Sequence, residues 1–156
     1  LGLATPPPLR SEIPEELHPF GRQRPREVRR HWDRLAAVLK RLRSEVDRDG
    51  ARLMVLYVPA RFEVNDAAWT LTQEAYGLNA QWDRNRVADE LGRIVSDLEV
   101  PFVDPRAAFR SLEGRGTRTY FPEDGHWTEA GNEVTAGEIL KAIGRKGLLP
   151  GPPPRP

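Results

Sequence analysis

Leu53-Met54-Val55-Leu56-Tyr57-Val58 is a continuous apolar run, stopped by Pro59. It does not alternate with polar residues, so both faces of the segment are apolar. A short run of this kind fits a strand buried on both sides, as in a parallel sheet. Proline ends it because the ring removes the N–H that a further ladder bond needs. Upstream, Val28, Trp32, Leu35, Leu39, Leu42 and Val46 recur at steps of four and three, which places one apolar stripe on a helix. Asp49-Gly50 closes that helix with turn chemistry.

The same alternation continues downstream. Residues 59–81 mix polar side chains with Phe62, Trp69 and Tyr76, and read as a long connection holding a short helix near Ala67–Tyr76. Val87, Leu91, Ile94 and Leu98 share one face of a second helix, and Val100 to Val103 form a short strand ending at Asp104-Pro105. A helical segment around Arg106–Leu112 runs into a turn at Gly114-Arg115-Gly116. A last helix starts at Thr128, a good N-cap, and is expected to bury Ala136, Ile139, Leu140 and Ile143. The fold class is therefore α/β, a partial doubly wound parallel sheet with flanking helices. Only two strands are legible where such a sheet has about five or six, so it is short of strands unless more chain pairs with it.

Three segments follow from composition. Residues 1–25 are a proline-rich lead-in, expected to be extended and irregular. Residues 26–146 hold the helices and strands, and residues 147–156 form a Pro/Gly tail expected to be disordered. A length of 156 residues suits one domain with a modest core. A net charge of +1 gives no bulk electrostatic case for nucleic acid or a membrane surface. The basic run from Arg22 through Arg43 is diluted by Glu27 and Asp33, so it reads as a solvated helix face and no nucleic-acid partner is expected. The absence of cysteine rules out disulfides and thiolate metal sites, and no apolar run approaches the roughly 20 residues that span a bilayer.

Asp124-Gly125-His126-Trp127 is the sharpest chemical feature, in a loop just before the final helix. A general base for acyl transfer needs an imidazole whose Nε2 faces the nucleophile, with a carboxylate on Nδ1 to fix the tautomer and stabilise the imidazolium. Two residues separated by one glycine can meet that need locally, the glycine letting the loop turn sharply. The bland alternative is a loop Asp capping a turn beside a surface His. His126, Asp124 and Glu123 are also metal-ligand types, but contiguous ligands rarely converge on one ion, and no metal is expected. His18 and His31 read as solvated side chains. Trp69, Tyr76 and Trp82 can either line a substrate cleft or plug the long connection onto the sheet.

The block Phe121-Pro122-Glu123-Asp124-Gly125-His126-Trp127-Thr128-Glu129-Ala130-Gly131-Asn132 resembles the last conserved block of the SGNH/GDSL hydrolases, whose fold is flavodoxin-like. Trp32 to Leu42, Leu53 to Pro59 and Phe102-Val103-Asp104-Pro105 resemble the helix and strands that precede it. The likeness covers about residues 26–143, and only its final block is specific. Carried over, it implies His126 as general base and Asp124 as its orienting acid. Many members place the acid three residues before the histidine, where Glu123 stands here. Asp124 is preferred because the one-residue spacing with a following Trp occurs in the branch resembling alginate and peptidoglycan O-acetylation proteins.

The family's Gly-Asp-Ser nucleophile block and its Gly and Asn oxyanion blocks do not occur. Ser11 lies in the lead-in, Ser44 and Ser96 on helices and Ser111 in a short helical segment, none on a strand-to-helix turn that would expose a nucleophile. In part of the branch the serine follows the Asp-His pair, but no serine follows His126 here. The chain starts at Leu1 without a signal-peptide pattern. It is therefore expected to be the part downstream of the nucleophile, inert by itself. The resemblance implies an acyl ester substrate, with small acyl groups on carbohydrate fitting the branch, no cofactor, and a parent compatible with membrane anchoring outside the cytoplasm. The rivals are a non-catalytic carbohydrate-binding or assembly module on the same fold, and a nucleic-acid-associated scaffold that uses the Arg-rich helix.

Overall fold

The computed structural model describes residues 12–146. A 3-10 helix (Glu15–Phe20) leads into α1 (Arg26–Arg48), β1 (Val55–Leu56), α2 (Arg61–Val64) and α3 (Asp66–Tyr76). Then come α4 (Arg86–Asp97), β2 (Phe102–Val103), α5 (Arg106–Glu113) and α6 (Glu129–Lys146). The tail at 147–156 and the first part of the lead-in lie outside the described residues. No helix among the described residues is long and apolar enough to cross a membrane.

The two strands pair in parallel, Val55 opposite Phe102 and Leu56 opposite Val103, and α2, α3 and α4 make the crossover between them. The fold is thus α/β with a small parallel sheet flanked by helices, as the alternation of periods predicts. The run expected to be buried on both faces is not. Leu53 to Leu56 are half-buried and Val58 is 63% exposed. Double burial needs a layer on each face and a neighbour on each edge; among the described residues β1 has one paired neighbour.

The stripe on α1 shows the same shortage. Val28 is buried and Trp32, Leu39 and Val46 are half-buried, but Leu35 and Leu42 are exposed, and α1 packs on α4. On α6 the expected face is corrected: Gly131, Thr135 and Ala142 turn inward, while Leu140 is 68% exposed and Ala136 is exposed. The inward face lies roughly a third of a turn from the expected one. Gly131 gives the reason, since a Cβ there would stand 2.5 Å from the Thr119 carbonyl oxygen. That close approach presses the small-residue face against the preceding chain, leaving Leu140 outward and Ile139 and Ile143 half-buried.

Among the described residues, two clusters of the core bear on the site. Leu17, Phe20 and Leu78 pack with Phe62, Trp69, Tyr76, Trp82 and Val87. The lead-in is therefore not wholly extended: Glu15–Phe20 coils with Pro19 inside it, and Leu17 and Phe20 are buried. Proline removes a donor without preventing its neighbours from burying apolar surface. The second cluster, Val64, Phe109 and Tyr120 with Trp127 and Val134, lies under the loop that carries Asp124 and His126. Asp104 starts α5 by accepting the Arg106 N–H at 3.0 Å, and its carboxylate also pairs with the Arg106 guanidinium, which lies 5.8 Å from the Tyr57 ring centroid.

Candidate active site

The loop from Phe121 to His126 is closed at its base by the chain on either side. Tyr120 and Trp127 form an antiparallel bridge, Phe121 N donates to the His126 carbonyl at 3.0 Å, and Thr128 N donates to the Thr119 carbonyl at 3.0 Å. Both bridge residues are aromatic anchors, their rings 5.7 Å and 5.2 Å from the fully buried Phe109. Tyr120 Oη donates to the carbonyl of Pro59, the residue that ends the β1 run, and burial pushes that phenol up to about 12. Arg61, the first residue of α2, donates to the Pro122 carbonyl at 3.1 Å. These contacts hold the loop beyond the carboxyl end of β1, where open α/β sheets place their ligands.

At the tip, one carboxylate makes two contacts with the same residue. Asp124 Oδ1 accepts the backbone N–H of His126 at 2.8 Å, and Oδ2 lies 3.2 Å from His126 Nδ1. The first is an Asx-type turn. It also corrects the role expected of Gly125: its φ is not positive and a Cβ there would meet nothing within 4 Å. The Asp124 side chain, not glycine's conformational freedom, folds the loop back. The backbone N–H and then the ring of His126 hold the Asp124 carboxyl below the usual aspartate range, so it is ionised at neutral pH. A carboxylate on Nδ1 selects the tautomer that carries its proton there, which leaves the Nε2 lone pair free to accept one. The imidazole is 85% exposed, so a hydroxyl can approach it from outside.

The other candidates fall away from this loop tip or stand idle beside it. Glu123 is exposed, and the ring's carboxylate contact is made by Asp124. His31 is exposed on α1. His18 borders a cleft of about 370 Å³ with Gln23, Asn79 and Trp82. Trp69, Tyr76 and Trp82 pack against the Leu17 cluster, so they cover the core, with Trp82 also walling that cleft. Among the described residues no serine hydrogen-bonds His126: Ser44 Oγ donates to the Lys40 carbonyl and Ser111 Oγ accepts from Arg115. Among the described residues, too, no group of three His, Cys, Asp or Glu side chains is placed to share a metal ion.

Two glutamates that sequence reasoning passed over tie this region together. Glu63 is 1% exposed and accepts from Tyr57 Oη and from Ala60 N, each at 2.7 Å. Glu113 accepts from Thr119 N and Thr119 Oγ1, at 2.7 and 2.6 Å. In sequence both are ordinary helix-surface residues. Glu63 makes only half of a capping box, reaching back to the Ala60 N–H, and an alanine at the N-cap gives no sequence signal for it.

The family model described as "SGNH hydrolase-like domain, acetyltransferase AlgX" matches residues 21–155. Among solved structures, the O-acetyltransferase domain of AlgJ from Pseudomonas putida superposes with a TM-score of 0.66. Identity is 21%, over 84% of this chain and 45% of that one. At that identity the likeness is one of fold, and the chain spans less than half the length of that structure. A search of curated proteins finds no match.

Proposed function

The chain belongs to the family of SGNH hydrolase-like domains described by the acetyltransferase AlgX, and on that premise we propose that it carries the acid–base pair of a serine-dependent acyl transfer. His126 Nε2 takes the proton of a serine hydroxyl as that oxygen attacks the carbonyl carbon of an acyl ester. The imidazolium so formed is stabilised by Asp124 across Nδ1. When the tetrahedral intermediate collapses, the same proton passes to the leaving alkoxide, and an acyl-serine remains. A second hydroxyl then repeats the sequence in reverse, His126 taking its proton while it displaces the serine. If that hydroxyl is water the outcome is hydrolysis; if it belongs to an acceptor, the outcome is transfer.

The serine and the donors to the oxyanion come from chain outside this sequence. A hydroxyl is the acceptor we favour, because the structural neighbour is named an O-acetyltransferase domain; that the hydroxyl belongs to a carbohydrate rests on the sequence resemblance alone. The observation that carries the reading is the 3.2 Å contact between Asp124 Oδ2 and Nδ1 of an imidazole otherwise open to solvent. In the polypeptide that joins these residues to a serine nucleophile, His126→Ala and Asp124→Asn should each lower acyl transfer from a simple acetyl ester by about 10³–10⁴-fold, with circular dichroism unchanged. Near-normal rates in both variants would remove the assignment.

A further inference from the structure

We infer that Glu113 is a positioning residue for His126, acting through Thr119 and Thr128 at the base of the loop. The inference rests on the reading of His126 and Asp124 given above. Asp124 and His126 are themselves exposed, so the few contacts at their tip cannot fix where the loop points. What fixes it lies at the base. Thr119 is fully buried and held on two sides: its N–H and hydroxyl both donate to Glu113 Oε1, and its carbonyl accepts Thr128 N. Thr128 in turn donates its hydroxyl to the Arg118 carbonyl at 2.8 Å and accepts Gly131 N at 3.3 Å, which caps α6.

The second oxygen of Glu113 reaches elsewhere. Oε2 accepts Asn65 Nδ2 at 2.7 Å, while Asn65 Oδ1 accepts Ala68 N at 2.8 Å and caps α3. One carboxylate at the end of α5 thus joins the start of α3 to the strand-like segment that feeds the loop, and through Thr128 to the start of α6. Burial alone would push the Glu113 carboxyl up, but the bonds from Thr119 and Asn65 outweigh it and hold it low, so the group stays an ionised acceptor. A carboxylate is the side chain this junction needs. Its two oxygens must take three donors, and a carboxamide would turn its NH2 against Asn65 Nδ2.

The test uses residues 1–156 and ring-¹⁵N NMR of His126 in its neutral form, which tells the Nδ1–H tautomer from the Nε2–H tautomer. The wild type should hold the proton on Nδ1, as donation to Asp124 requires. Glu113→Ala should shift the ring toward the tautomer balance of free imidazole while far-UV circular dichroism stays unchanged. Thr119→Val, which deletes only one hydroxyl bond, should shift it less, and Thr119→Ser should restore the wild-type balance. Should Glu113→Ala fail to fold, Thr119→Val decides: a wild-type tautomer balance in whichever folded variant is measured would overturn the inference. The failure of the functional reading looks different. Asp124→Asn would then leave the tautomer unchanged in an otherwise intact chain, whatever Glu113 does.

Discussion

Asp124 does with one side chain what the loop would otherwise need a special backbone to do. Its two oxygens bind the backbone and the ring of the same residue, so forming the turn and orienting the imidazole are one event. The residue types were legible in sequence because Asp-x-His before an N-capping Thr has a chemical reason. The division of labour was not, since glycine between them looks like the hinge and is not one. Gly131 is the glycine that matters here. We predict that Gly131→Ala costs about 1–3 kcal/mol in denaturant unfolding, as overpacking against the Thr119 carbonyl does; a neutral substitution would mean that α6 is free to move away.

Buried Glu63 carries a second residue-scale prediction. Desolvation raises its carboxyl above the usual value, with Tyr57 Oη and Ala60 N opposing. A raised folded value means that the neutral acid is favoured by folding. That contribution is full below the unfolded value of about 4.3 and is lost as pH rises through the folded one. Glu63→Gln, neutral throughout, should therefore gain stability relative to the wild type as pH rises from that range to neutrality. Unfolding measured across pH checks this; a difference flat in pH would contradict it.

At the scale of elements, period and punctuation located every long helix. Val28 to Val46 fall in α1, Val87 to Ile94 in α4 with Leu98 at its C-cap, and Thr128 stands just before α6. Which face turns inward was less legible. On α6 the larger apolar residues suggested one face, but Gly131 lets the chain approach closest on another, and backbone proximity wins over side-chain size. The contrast is measurable. Phe109→Ala removes a fully buried ring on which both loop anchors rest and should cost about 3–5 kcal/mol. Leu140→Gln, on the outward face, should stay within about 0.5 kcal/mol. A large loss at Leu140 would mean that this face is covered in solution. The 3-10 helix at Glu15–Phe20 escaped notice because prolines signal irregular backbone, whereas Leu17 and Phe20 needed only a place to bury.

Among its described residues the chain is an α/β unit whose sheet has two short strands, and whose α1 and α6 each leave apolar side chains in water. Sequence supplied the fold class and the two residues we propose as a pair; it could not supply the junction beneath them, because Glu113, Thr119 and Asn65 are far apart in the chain and ordinary where they stand. The most direct measurement is a double-mutant cycle on acyl transfer in the polypeptide that contains the serine. If Asp124 acts only through His126, then His126→Ala with Asp124→Asn should be no slower than His126→Ala alone, because a pair working as one unit is lost once. Losses that multiply, or an Asp124→Asn variant as fast as the wild type, would contradict a carboxylate that orients the general base.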